Sequence, residues 1–129
     1  MGQYFRAGLI CFGIFLSAKA QAGCPQGQEP ITSCEIKGRN TEVFACFDDQ
    51  IATYSYGPIG GAPDLFLSET IEDVDFEPWS GIGKAIHEKI TFYIGDYSYE
   101  VGGGFDRPFS EEEMLRPTRR FGWLDVAQN

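Results

Sequence analysis

The segment KITFYIGDYSYEV, residues 89–101, constrains the fold more than any other stretch of the chain. Ile90, Phe92 and Ile94 recur at every second position, which places them on one face of an extended strand. Tyr97, Tyr99 and Val101 do the same, with Ser98 and Glu100 between them, and Gly95-Asp96 separates the two runs. A glycine-containing pair between alternating runs favours a primed two-residue turn, whose twist matches that of the flanking strands. The segment therefore reads as a β-hairpin. A helix would scatter the same side chains around its circumference.

Shorter segments of the same character precede it. ITSCEIK and EVFACF flank the turn residues Gly38-Arg39-Asn40. QIATYSY alternates Ala52, Tyr54 and Tyr56 against Ile51, Thr53 and Ser55, and the glycine- and proline-rich GPIGGAPD follows as a loop. LFLSE and IEDVDFE read as two more strands. The second belongs at a sheet edge, because its acidic residues discourage pairing with another chain. About six or seven short strands without a long helical period indicate an all-β fold, a small antiparallel sandwich or barrel. This β domain is expected over 23–107. Gly102-Gly103-Gly104 interrupts the strand pattern, and 108–129 reads as an atypical tail with no strand period. In that tail Ser110 and Glu113 form a capping box for a short helix, which Pro117 stops.

The first 22 residues read as a signal peptide. Arg6 supplies the positive start, Ala7 to Leu16 is an apolar run, and Ala20-Gln21-Ala22 fits a small-x-small cleavage site. The run is too short for a comfortable membrane span. Gly23-Cys24 resembles the end of a lipoprotein signal, but Gln21 stands where an aliphatic residue belongs. A periplasmic or secreted protein is the expectation, and three cysteines then remain: Cys24, Cys34 and Cys46. A five-residue loop from Gly38 to Glu42 would set Lys37 opposite Val43 and Cys34 opposite Cys46, so a Cys34–Cys46 disulfide is expected, with Cys24 left over. Loss of Arg6 and Lys19 with the leader takes the formal charge from −9 to −11. So acidic a surface repels nucleic acid and anionic membranes, and it suits a basic partner or simple solubility.

One loop invites chemistry: PWSGIGK, Pro78 to Lys84. A phosphate-binding loop needs a glycine where Pro78 stands and a hydroxyl residue where Ala85 stands, so that reading fails. As a nucleophile Ser80 needs a base, and the sole histidine, His87, falls inside an apparent strand. Glu69, Glu72, Asp73, Asp75 and Glu77 offer oxygen ligands without the spacing of a calcium loop, and a solvated sheet edge explains them better. No catalytic residue, metal ligand or cofactor is assigned. What remains is recognition, with Trp79, Ser80, Gly81 and Lys84 as the partner-binding set on a β scaffold.

The set SCEIKG, YSYGPIGGAPDLFL, PWSGIGKAI and ITFYIGDYSYEV resembles a group of small exported bacterial proteins of unknown function. The layout also resembles the C-type lysozyme inhibitors, small periplasmic β-barrels whose inhibitory loop carries a Ser-Gly pair shortly before a strand with Thr-Phe-aromatic. Ser80-Gly81 and Thr91-Phe92-Tyr93 follow that order. Lys84 stands where those inhibitors have an aromatic residue, and Ile94 where they have a lysine. The resemblance implies a non-enzymatic binding protein directed at a basic protein such as lysozyme. A structural or stress-related envelope protein without a dedicated ligand is the alternative, and a hydrolase using Ser80 comes third.

Overall fold

The computed structural model describes residues 23–129, so the expected signal peptide lies outside the described residues. Among these described residues, eight antiparallel strands form two four-stranded sheets. The first is the meander β1 (Glu29–Ile36), β2 (Thr41–Phe47), β3 (Ile51–Pro58) and β4 (Leu65–Thr70). A single 3-10 turn, Ile71–Asp73, carries the chain to the second. That sheet is again a meander: β5 (Asp75–Glu77), β6 (Ala85–Ile94), β7 (Tyr97–Asp106) and β8 (Arg120–Gln128). A short helix α1 (Glu111–Met114) interrupts the β7–β8 connection. The all-β class is as the alternation indicated, and among the described residues no helix is long and apolar enough to cross a membrane.

Alternation decides what lies between the sheets. Val43, Ala45, Ala52, Tyr54 and Leu67 from the first sheet pack against Ile90, Phe92 and Val101 from the second. Tyr54 is at the centre, with its ring 5.8 Å from Phe92 and 5.4 Å from Tyr99 in tilted arrangements. Burial drives its phenol well above the ordinary tyrosine range, so it stays protonated.

The disulfide joins Cys24 to Cys46, not Cys34 to Cys46. The cause is the β1–β2 turn. Ile36 faces Thr41, so the connection is the four residues from Lys37 to Asn40, closed by Arg39 N–H donating to the Ile36 carbonyl at 3.1 Å. That odd shift from the expected register pairs Cys34 with Val43 on the inner face, whereas Cys46 points outward and pairs with Thr53. Cys34 is the free thiol, half-buried against the core, and burial raises its pKa. Cys46 is nonetheless buried, because the lead-in from residue 23 lies over the outer face of the first sheet. Gln28 holds it there, accepting from Thr53 Oγ1 at 2.7 Å and donating to Asp48 Oδ2 at 3.4 Å.

The tail departs from expectation as well. Gly102-Gly103-Gly104 continues strand β7, and Arg120–Gln128 pairs with it along its length. The three glycines are sites of close approach. A Cβ at Gly102 would enter the Trp123 indole, one at Gly103 would meet the Thr32 hydroxyl, and one at Gly104 the backbone of Ile86 and His87. The short helix forms as its capping residues indicate, with Glu113 N–H donating to Ser110 Oγ at 3.1 Å.

Candidate functional site

Pro78–Lys84 connects edge strand β5 to β6. Gly81 and Gly83 have φ of +89° and +99°, a region that side-chain-bearing residues rarely enter, so only glycine makes this tight reversal without strain. Trp79 Nε1 donates to the Ile82 carbonyl at 3.1 Å and closes the loop on itself. The apex is left exposed: Ser80 and Gly81 face solvent, and Ile82 is 80% exposed.

Residues from beyond β7 hold this loop. Arg107 N–H donates to the Lys84 carbonyl at 3.0 Å. Its guanidinium lies 5.0 Å from the Trp79 ring centre and 5.1 Å from that of Phe109, so one cation bridges two aromatic faces. Lys84 Nζ pairs with Glu113 Oε1 at 2.6 Å, while Glu113 Oε2 accepts from Phe109 N–H at 2.7 Å. The Lys84 ammonium and the Phe109 amide together hold the Glu113 carboxyl below the ordinary range. The four expected recognition residues therefore divide. Ser80 and Gly81 form the exposed apex, whereas Trp79 and Lys84 are tied down as its supports.

The supports Arg107, Phe109 and Glu113 were not read from the sequence as part of this site. The capping box was visible, but Lys84 lies 29 residues before Glu113 and no local period connects them. Phe109 of the clamp is itself 63% exposed and adds apolar surface beside Trp79 and Lys84.

Other candidates resolve into ordinary contacts. His87 sits on the outer face of β6, edge-on to Trp123 at 6.2 Å, with Nδ1 3.2 Å from the Ala85 carbonyl. Among the described hydrogen bonds none joins it to Ser80. In the acidic segment, Thr70 donates to Asp73 at 2.9 Å, the Tyr93 hydroxyl donates to Asp75, and Glu77 lies 3.5 Å from Lys89. Among the described residues no group of three or more His, Cys, Asp or Glu side chains is placed to hold a metal ion. No family model, curated protein or solved structure matches the chain.

Proposed function

We propose that this chain is an exported, non-enzymatic binding protein that presents the Ser80–Gly81–Ile82 apex to a basic protein partner, with inhibition of a c-type lysozyme as its most concrete form. The observation that carries the proposal is the clamp of Trp79, Arg107 and Phe109 beneath an exposed apex. A loop held in one conformation before binding loses little entropy on docking, so its contacts convert more fully into affinity. The excess of acidic residues would steer a basic partner toward it. The disulfide supports an oxidising compartment, where such bridges form and persist. Together with the apolar run from Ala7 to Leu16 it supports export with cleavage after Ala22.

Turnover of a c-type lysozyme, with the processed protein added at about micromolar concentration in low salt, tests this reading. Inhibition is expected, and Ser80→Trp or Ile82→Asp should abolish it without moving the thermal midpoint. Arg107→Ala should weaken it by about tenfold, since that change loosens the loop without touching its apex. Absence of any inhibition by the unmodified protein would remove lysozyme as the partner.

A further inference from the structure

A second surface of the molecule is independent of the loop. Beside the β1–β2 turn the two sheets splay and leave an open cleft of about 900 Å³. No residue of Pro78–Lys84 lines it. Tyr56 and Leu65 form one wall, Leu124 and Val126 the other, and the Tyr54–Tyr99 contact closes its floor. These are core-facing positions that the opposing sheet fails to cover. Tyr56, Leu65 and Leu124 remain only half-buried, and Val126 is 53% exposed. Apolar surface left open in this way is unfavourable by roughly 25 cal/mol per Å², so an occupant that covered it would be held.

The packing below the cleft keeps it from closing. Cys34 Sγ occupies the space that a Cβ at Gly122 would take, so this sulfur already fills the gap between β1 and β8. Tyr54 is fully buried between its aromatic neighbours and cannot move aside without opening the core. The volume falls in the range of about 300–1,000 Å³ typical of small-molecule sites.

Charge at the mouth identifies the kind of ligand. Among the described residues, Lys84, Lys89, Arg116 and Arg119 are committed to carboxylates, and Arg107 is stacked between aromatic rings. Lys37, Arg39 and Arg120 are the cations with neither role. Lys37 and Arg39 both line this mouth, on the exposed β1–β2 turn. Glu35 and Asp64 line it too, but neither lies within ion-pair distance of either cation. Lys37 and Arg39 thus offer donors for an anionic head beside an apolar cleft, and with Glu35 and Asp64 they bring the mouth to formal neutrality in a strongly acidic chain. We infer that the cleft binds an amphiphile with an apolar tail and an anionic head, its tail between the sheets and its head at Lys37 and Arg39.

Cys34 on the cleft lining supplies a reporter. The disulfide-intact protein is treated with a thiol-modifying reagent in the presence of oleate, oleyl alcohol or dodecyltrimethylammonium. Oleate should slow modification in a saturable way and the cationic amphiphile should not. Titration with a fluorescent polyene fatty acid, whose emission rises on leaving water, gives a second reading that does not depend on thiol reactivity. Lys37→Glu combined with Arg39→Glu, both on an exposed turn, should weaken fatty-acid binding by about tenfold or more while leaving the thermal midpoint in place. The assignment is overturned if the polyene acid does not bind, if the double variant binds it equally well, or if dodecyltrimethylammonium protects Cys34 as well as oleate does. Lysozyme inhibition can stand or fall without altering any of these readings.

Discussion

The outer faces of the two sheets are stabilised by different physics. On the first, the lead-in crosses the strands and is bonded covalently through Cys24–Cys46, so Cys46 and Thr53 are buried although they point away from the core. On the second, no disulfide is present among the described residues. Instead Trp123 lies across Gly102, its Nε1 donating to Glu100 Oε2 at 2.9 Å, and Lys89 bridges Glu100 at 2.8 Å and Glu77 at 3.5 Å. A covalent tie acts mainly on the unfolded chain and is indifferent to salt, whereas a half-exposed charge network acts in the folded state and is screened. The two halves of one small sandwich should therefore respond to different perturbations.

Removing the tie is expected to have the largest effect. Cys24→Ala opens a bridge spanning 22 residues, and about 3 kcal/mol of stability should be lost in urea unfolding. A loss below about 1 kcal/mol would mean that the lead-in is held by Gln28 and packing instead. Next is Gly102→Val, which forces Trp123 off the sheet. Destabilisation by about 2 kcal/mol is expected, with a shift in tryptophan fluorescence.

Glu100→Gln should cost about 1 kcal/mol at low salt and clearly less at high salt, the opposite of the salt-indifferent bridge. Lys89, and after it Trp123, hold the Glu100 carboxyl below the ordinary carboxylate range. A depressed folded pKa gives stability that is present above the ordinary value of about 4.3 and is lost as pH falls through the lower folded value. The variant should lack that acid-side loss.

The smallest expected effect has the reverse sign. Glu69 is pushed up by burial, and its Oε2 has no hydrogen-bond partner among the described residues. Its ionisation therefore opposes folding as pH rises from the ordinary carboxyl value through the raised one. Glu69→Gln should raise the unfolding free energy at pH 7 by less than about 1 kcal/mol, and leave it unchanged at pH 4.

The difference between the faces also explains what was legible in the sequence. The hairpin from Lys89 to Val101 was plain, because alternation and turn chemistry act within a dozen residues. Strand β8 was not, because Gly122 and the mixed charges around Trp123 break the alternation, and their logic lies in neighbouring chain segments. Cys34 looks like the partner of Cys46 because a turn that starts one residue later and is one residue longer gives that register. Which turn forms depends on the face that must be buried, and here Cys34 belongs inside.

At the candidate site, the glycine-rich loop singles out Ser80 and Gly81 from sequence alone, and the fold leaves both exposed. The assignment of Trp79 and Lys84 as supports was beyond reach, since Arg107, Phe109 and Glu113 approach them from the far side of β7.

The sequence by itself determined the all-β class, most of the strands, the loop between β5 and β6 and the short capped helix. Each depends on interactions between residues that are close along the chain. Only the tertiary structure decided the disulfide partner of Cys46, the pairing of β8, the clamp beneath Ser80–Gly81–Ile82 and the splay that opens the cleft. Those depend on which faces meet once the strands have formed. A one-residue change in register reverses every face, so local pattern cannot specify them.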